Sequence, residues 1–257
     1  NGATIWEKAY GCQWSANTSA GEGRSILQTS DGGFIVAGFG SVGGVTTAWL
    51  VRLDRNGNRQ WEKFLGPADD GGGGSPVAVA KATDGNFYVA FTVPDGHAVL
   101  LKLDSGGTIL WRRQVDQYQR SGAGSLSVTG DGGVVFSGSG DGDGLLMKYN
   151  ANGALGWHKT FGKNQQGSGG GLSAVMETPD NGFITTGGVG VGTPHLWILR
   201  TDSWGNVVWD KEMADKDMIT GYSVAQASDG GYVVCGRDGK GVAVWLLKLD
   251  ANGNYGK

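Results

Sequence analysis

The sequence predicts an all-β fold, a closed five-bladed β-propeller with four antiparallel strands in each blade. Three observations predict it. One motif occurs five times, each copy spans about 50 residues, and the copies fill nearly the whole chain of 257 residues. Four short strands and their turns occupy a segment of that length, and such units arranged around a ring form a propeller. We therefore expect a single domain, residues 1–257.

The first half of each copy contains a hairpin turn. An Asp-Gly or Asn-Gly pair lies between two strand-like stretches, and such pairs accept the positive φ angles of a tight turn. The run behind the turn is rich in β-branched and aromatic residues, which favours a strand. The turns lie at 31–33, 84–86, 131–133, 180–182 and 229–231.

The second half of each copy joins an apolar strand with one basic residue to a Gly that is followed four residues later by Trp. The basic residues are Arg52, Lys102, Lys148, Arg200 and Lys248. The aromatic residues are Trp6, Trp61, Trp111, Trp157 and Trp209. We interpret these Trp residues as structural, with rings that fill the space between neighbouring blades and indole N–H groups that are hydrogen-bonded.

The two ends of the chain predict how the ring closes. The chain begins before a fourth strand and ends after a third strand, so we expect the N-terminal strand to complete the last blade and leave no open edge. The predicted blades are approximately 24–64, 76–114, 124–160, 171–212, and 221–250 together with 4–9.

Two spacings carry a resemblance to known repeats. Asp31–Gly38 and Asp229–Gly236 follow the pattern Asp-Gly-Gly-Phe/Tyr-x-x-x-Gly, and Leu53–Trp61 follows Leu-Asp-x-x-Gly-x-x-x-Trp. They resemble β-propeller repeats of secreted prokaryotic proteins and, more distantly, the tryptophan-docking repeats of quinoprotein-type propellers. The resemblance implies the fold and an extracellular, cell-surface or periplasmic location, and it implies no activity. A chain that begins with Asn1 and not with Met is expected to be a processed protein or a trimmed segment. A cytoplasmic scaffold is the alternative, because two cysteines do not determine the redox compartment.

Charge and hydropathy limit the partners. The formal net charge is −3 and no basic run occurs, whereas nucleic-acid binding requires a basic stripe, so we expect no nucleic-acid partner. No apolar run reaches the roughly 20 residues of a membrane span. Two cysteines, Cys12 and Cys235, cannot form a disulfide framework, and the sequence leaves open whether they are bonded to each other.

We expect the protein to be a non-catalytic binding or scaffold module. Its candidate ligands are a carbohydrate, bound in a lectin-like manner, and a protein. The connections that differ most among copies share one face, which we call the loop face, and variable loops on a rigid scaffold carry recognition. The candidate ligand-binding residues are Trp14, Asp69, Asp70, His97, Tyr118, Asp141, Asp143, Glu177, His195 and Asp238. No cofactor is expected, although Asp141 and Asp143 are candidate calcium ligands.

The alternative is a glycoside hydrolase of the five-bladed type. Such an enzyme requires two carboxylates about 5–10 Å apart, here at the central cavity. At the matched position of the innermost strands the five copies carry Gln28, Lys81, Val128, Glu177 and Gln226. Glu177 is the only carboxylate among them, which favours binding over catalysis.

Overall fold

The computed structural model describes residues 2–11, 21–42, 45–65, 75–162, 170–190, 194–213, 218–239 and 244–256. The chain divides into two compact units, Asn1–Val115 and Asp116–Lys257. Within the described ranges the regular structure consists of β-strands. In that part of the chain no helix is long and apolar enough to cross a membrane.

The first unit contains two antiparallel sheets of four strands. The first sheet has the order β1-β2-β3-β4 and the second has the order β5-β6-β7-β8. The strands are β1 (Glu22–Gln28), β2 (Phe34–Val42), β3 (Val45–Leu53), β4 (Arg59–Leu65), β5 (Ser75–Lys81), β6 (Phe87–Thr92), β7 (Ala98–Leu103) and β8 (Ile109–Gln114).

The second unit contains three antiparallel sheets. The third sheet (β9 to β12) and the fourth sheet (β13 to β16) each have four strands, and the fifth has three, in the order β17-β18-β19. The strands are β9 (Ser121–Val128), β10 (Val134–Gly140), β11 (Asp143–Tyr149), β12 (Leu155–Phe161), β13 (Gly171–Glu177), β14 (Phe183–Val189), β15 (His195–Thr201), β16 (Val207–Met213), β17 (Met218–Gln226), β18 (Tyr232–Asp238) and β19 (Val244–Leu249).

The turn between the first two strands of each sheet contains a residue with a positive φ angle. In the first sheet this is Gly32, with φ of 79°, and its N–H donates to the carbonyl oxygen of Thr29. In the fourth sheet Asn181 takes this position with φ of 60°. Asn is one of the few residues with a side chain that adopts this conformation readily, so the Asp-Gly and Asn-Gly patterns produce the same turn.

The basic residue of each third strand pairs with the Asp of the same sheet's first turn. The N–O distances are 2.6 Å for Arg52–Asp31, 2.7 Å for Lys102–Asp84, 2.6 Å for Lys148–Asp131, 2.6 Å for Arg200–Asp180 and 2.7 Å for Lys248–Asp229. The pair joins the turn to the third strand across the second strand. Hydrogen bonds from the Thr29 hydroxyl and from Arg52 hold the pKa of the Asp31 carboxyl well below its usual range.

The second and third strands form the core of the four-stranded sheets, whereas β19, the third strand of the fifth sheet, is largely exposed. All six residues of β7 are buried, and β15 is buried over all but its first residue. Strands covered on both faces carry continuous apolar runs in place of alternation. Ile35, Leu50 and Phe91 belong to one cluster in the first unit, whereas Leu146 and Phe183 belong to one in the second unit.

Each complete fourth strand carries a β-bulge next to its repeated Trp. The pairing skips one residue there, so that the residue before the Trp has no partner opposite it on the third strand. The skipped residues are Gln60, Leu110, Gly156 and Val208. Leu110 and Val208 are exposed, so a side chain at this position extends away from the sheet.

The predicted closure by an N-terminal strand is wrong. The fifth sheet has three strands, and residues 4–9 form no strand, so the arrangement is not closed in the predicted way. The segment instead attaches to the first sheet, where the Trp6 ring lies 5.9 Å from that of Phe34 and Lys8 Nζ lies 2.6 Å from Asn58 Oδ1. Tyr10 also donates to the carbonyl oxygen of Gly57. These side-chain contacts fix the segment without any backbone pairing to β19.

Candidate functional site

The second unit contains a cleft of about 450 Å³ between the third and fourth sheets, at the end of the sheets that carries the hairpin turns. The third sheet contributes Asp131, Lys148, Gly156 and Trp157 to its walls, and the fourth sheet contributes Glu177 and Trp204. We call this cavity the Trp204 cleft.

The ring of Trp157 forms a fixed part of the wall. Its indole N–H donates a 3.1 Å hydrogen bond to the carbonyl oxygen of Ser203, and its ring meets that of Phe183 edge-on at 5.7 Å. Gly205 lies so close that a Cβ atom there would be 2.8 Å from the ring. The ring is therefore held on several sides by the neighbouring sheet.

Trp204 stands at the mouth of the cleft on a tightly bonded turn. Its backbone N–H and that of Asn206 both donate to Asp202 Oδ1 at 2.8 Å. Hydrogen bonds from the Asn206 side chain and backbone lower the pKa of Asp202, so this carboxylate is charged and holds the turn. The side chain of Trp204 is 70% exposed, which leaves its aromatic faces open to a ligand.

Glu177 ends the first strand of the fourth sheet and reaches back to the third sheet. Its Oε2 atom accepts a 2.8 Å hydrogen bond from the N–H of Gly130, and its own N–H donates to Ser127 Oγ at 3.2 Å. Among the described residues no donor is bonded to Oε1 of Glu177. The carboxylate is therefore oriented by one oxygen and leaves the other available.

Asp131 and Lys148 neutralise each other in the cleft wall. Burial raises the pKa of Asp131, but hydrogen bonds from Lys148 Nζ, the Thr129 hydroxyl and the Gly133 N–H outweigh it and lower the pKa to about 2. The charged residues lining the cleft are these two and Glu177. The cleft thus contains two carboxylates and one ammonium group, and its formal charge is −1.

Trp204, Gly156 and Glu177 are among the cleft residues that depart from the repeat. Trp204 occupies a turn position where the other copies have Asn56, Gly106, Asn152 and Asn252. Gly156 occupies the bulge position, where the other copies have Ile5, Gln60, Leu110 and Val208. Glu177 is the third, at the innermost-strand position. Relative to the other copies, Trp204 adds an exposed ring, Gly156 lacks a side chain and Glu177 introduces a carboxylate. All three residues line one cavity.

Glu177 is the predicted site residue that the structure places in this cleft. His97 and His195 lie elsewhere: His97 Nδ1 is 3.2 Å from the carbonyl oxygen of Val115, and His195 Nδ1 is 2.8 Å from Glu212 Oε1. Sequence reasoning missed Trp204 and Gly156 because it looked for function in the most variable connections. An alignment of the five copies position by position would have revealed both.

Tyr118 and Asp141 lie at the opposite end of the third sheet, on the predicted loop face. Tyr118 Oη is 3.2 Å from His158 Nδ1, and Asp141 accepts a 2.9 Å hydrogen bond from the N–H of Arg120. Asp141 also borders another cavity, together with Gln119, Arg120 and Gly142. Its φ angle of 50° fits the tight turn between β10 and β11.

The remaining predicted residues are spread over the fold. Asp143 is the first residue of β11 and Asp238 the last of β18. Within the described ranges no three His, Cys, Asp or Glu side chains are grouped as metal ligands. Cys235 is half-buried on β18. Trp14, Asp69, Asp70 and Cys12 lie outside the described residues.

The repeated Trp rings lie against glycines of the following turn. Trp6 approaches Gly57, Trp61 approaches Gly107, Trp157 approaches Gly205 and Trp209 approaches Gly253. The indole N–H of Trp61 donates to the Ser105 carbonyl oxygen at 3.1 Å, as that of Trp157 does to Ser203. Trp111 packs on Tyr88, with ring centroids 5.7 Å apart.

Comparison with known proteins identifies proteins that are similar in structure. No family model matches the sequence, and no curated protein matches it. A protein of unknown function from Bacteroides caccae is similar with a TM-score of 0.59 and 15% identity, over 98% of this chain and 83% of that one. The WD40 domain of Neurospora crassa Pan2 is similar with a TM-score of 0.58 and 12% identity, over 92% and 65% of the two chains.

A putative 6-phosphogluconolactonase from Bacteroides uniformis is similar with a TM-score of 0.58 and 13% identity, over 90% of this chain and 68% of that chain. At such identities the likeness concerns the fold and carries no activity with it. Taken with the five antiparallel sheets, these likenesses point to a β-propeller of about five blades.

Proposed function

We propose that this protein is a non-catalytic binding module that works outside the cell and binds saccharides in the Trp204 cleft. One observation carries the proposal: Trp204 is 70% exposed at the mouth of a cavity that also contains a carboxylate with an unbonded oxygen. A large ring is costly to leave in water, so an exposed Trp beside a cavity favours a ligand-binding role.

The chemistry of the cleft suits a sugar ring. The flat faces of the exposed Trp204 are apolar surfaces on which the C–H face of a pyranose can stack, and the Trp157 ring adds apolar wall to the same cavity. Glu177 and the Asn181 amide, which also lines the cavity, supply groups that bond hydroxyls. A volume of about 450 Å³ also falls within the usual range for a small-molecule site.

The same cleft is poorly suited to glycoside hydrolysis. The two-carboxylate mechanisms require one carboxyl group that is protonated near neutral pH to act as the acid. Asp131 cannot supply it, because Lys148 and two further donors lower its pKa to about 2. Glu177 is then the one remaining carboxyl group in the cleft lining, and it cannot serve both as the acid and as the nucleophile or base.

Binding is tested with a glycan array, followed by titration of tryptophan fluorescence with the saccharides that the array selects. We expect saturable binding, and we expect Trp204→Ala to weaken it by at least about tenfold because the stacking surface is lost. Val208→Ala is the matched control, since it also truncates an exposed side chain of the fourth sheet outside the cleft. Absence of binding to every saccharide class would contradict the proposal.

Two further variants locate the site and test for turnover. If Tyr118→Ala abolishes binding and Trp204→Ala does not, the ligand binds on the loop face and not in the cleft. If the protein releases reducing ends from an oligosaccharide and Glu177→Gln does not, the protein is a glycoside hydrolase and the proposal of a non-catalytic binding module is wrong.

A further inference from the structure

We infer that the Trp204 cleft selects saccharides with free ammonium groups, such as oligomers of glucosamine, over their N-acetylated forms and over acidic saccharides. This inference rests on the saccharide-binding function proposed above and specifies its ligand class. It is drawn from the charges and aromatic faces of the cleft.

The first step is the charge balance of the lining. Lys148 Nζ lies 2.6 Å from Asp131 Oδ2, so these two charges compensate each other within the third sheet. In the described part of the chain no Lys, Arg or His forms an ion pair with Glu177. The negative charge of Glu177 is therefore not compensated by a basic side chain, and it would repel an acidic saccharide.

The second step is the geometry of that carboxylate. Oε2 of Glu177 is fixed by the Gly130 N–H at 2.8 Å, and the Glu177 backbone is tied to Ser127 Oγ. The free Oε1 atom is thus presented in a set direction at little further cost in side-chain entropy. A charged ammonium donor forms a bond to it roughly twice as strong as a hydroxyl does.

The third step is the aromatic wall. Trp204 and Trp157 both line the cavity, and an ammonium group within about 6 Å of an indole face is attracted by it. An N-acetyl group is neutral and loses this attraction together with the ion pair. Both terms therefore favour the free amine in the same direction.

The fourth step separates a sugar from a lysine side chain, which presents the same ammonium group. Gly156 lacks the side chain that Leu110 and Val208 provide at this position, which leaves open space beside Trp157. A cavity of about 450 Å³ lined by two indole rings suits a six-membered ring better than a narrow alkyl chain. We therefore favour the amino sugar, and a cationic peptide becomes an outcome of the test.

The test is calorimetric titration of the whole chain at neutral pH with four probes of equal length. These are the β-1,4 tetramers of glucosamine, of N-acetylglucosamine and of glucose, and a tetramer of galacturonate. We expect the glucosamine tetramer to bind about tenfold or more tightly than the N-acetylated form, and the galacturonate to bind most weakly.

Glu177→Gln should reduce the preference for the glucosamine tetramer over the N-acetylated form to roughly threefold or less. It should leave the N-acetylated affinity nearly unchanged, because the amide retains a hydrogen-bonding oxygen. Glu22→Gln is the charge-matched control, since Glu22 pairs with Arg24 on the surface of the first unit.

The outcomes distinguish the two claims. Equal binding of the glucosamine, N-acetylglucosamine and glucose tetramers overturns the selectivity and leaves saccharide binding intact. Binding of no saccharide overturns both. Tetralysine that binds more tightly than the glucosamine tetramer assigns the cleft to cationic peptides and also overturns the inference.

Discussion

Trp157 donates its indole N–H to the carbonyl oxygen of Ser203 at 3.1 Å, and Ser203 is the residue immediately before Trp204. The bond thereby links the fixed ring in the cleft wall to the turn that presents the exposed ring. The first unit repeats it between Trp61 and Ser105, again at 3.1 Å, but there Gly106 follows the carbonyl. The proposed binding feature is therefore one side chain placed on a turn that the repeat builds for structural reasons.

The two cleft Trp residues should respond differently to truncation. Trp204→Ala removes an exposed ring and should change the free energy of unfolding by less than about 0.5 kcal/mol while it weakens binding by at least about tenfold. Trp157→Ala removes a half-buried ring with a bonded N–H and should destabilise the second unit by about 3 kcal/mol. Urea denaturation measures the free energy of unfolding of both variants. Equal losses of stability would contradict the assignment of a binding role to Trp204 and a structural role to Trp157.

Gly156→Leu should block the cleft without unfolding the protein. The second sheet has Leu110 at the same bulge position, so the backbone accepts that side chain. The leucine would occupy the space beside Trp157 and lower affinity by about tenfold or more, with an unchanged melting temperature. Gly156→Ala is the matched control, since its Cβ meets only ordinary contacts at 3.4 Å and beyond and should leave affinity nearly intact. Full affinity in Gly156→Leu would place the ligand elsewhere.

Gly205→Ala should destabilise the protein through the backbone and the cleft wall together. Gly205 has φ of 76°, a conformation that is strained for Ala, and the new Cβ would lie 2.8 Å from the Trp157 ring. We expect a loss of more than about 1 kcal/mol in the free energy of unfolding and a shift in the fluorescence maximum of Trp157. An unchanged denaturation midpoint would show that the ring moves aside without cost.

The paired Asp residues should make the stability of the protein depend on pH in the acid range. The pKa of Asp131 is about 2 in the folded protein and about 3.9 in an unfolded chain. Because the folded pKa is the lower one, the stabilisation is complete above about pH 4 and is lost as the pH falls through about 2. Melting temperatures from pH 7 to pH 2 should therefore fall most steeply at the acid end.

Asp131→Asn tests this assignment. The variant lacks the titrating carboxylate and should be less stable than the wild type at pH 7, with a smaller further loss between about pH 4 and pH 2. An acid-range slope identical to that of the wild type would mean that Asp131 does not contribute to it.

Much of the fold follows from residue patterns that act locally. The Asp-Gly and Asn-Gly pairs determine where the chain turns, as Gly32 and Asn181 show, and they give the correct number of sheets. The N-terminal strand was predicted wrongly because Trp6 fits the fourth-strand pattern. In the structure Trp6 lies against Phe34 without any strand pairing, and a pattern of side chains cannot distinguish the two arrangements.

The site was only partly predictable. Glu177 emerged from the sequence because the innermost strands could be aligned across copies and it was the only carboxylate there. Trp204 lies in a turn that keeps the Asp and Gly of most other copies, Asp202 and Gly205, so the pattern predicts a turn there and does not indicate a ligand. That the cleft combines both residues depends on the packing of two sheets, which no local pattern encodes.

The repeated contacts are of two kinds: one kind joins residues within a sheet, and the other joins residues of two neighbouring sheets. The ion pair, such as Arg52–Asp31, stays inside one sheet, whereas the Trp ring leaves its sheet and lies on a glycine of the next, as Trp61 does on Gly107. Energy shared between neighbouring repeats couples their folding, while energy kept inside one repeat does not. Damage to an ion pair should therefore remain a local weakness, whereas loss of a Trp should lower the cooperativity with which adjoining repeats fold.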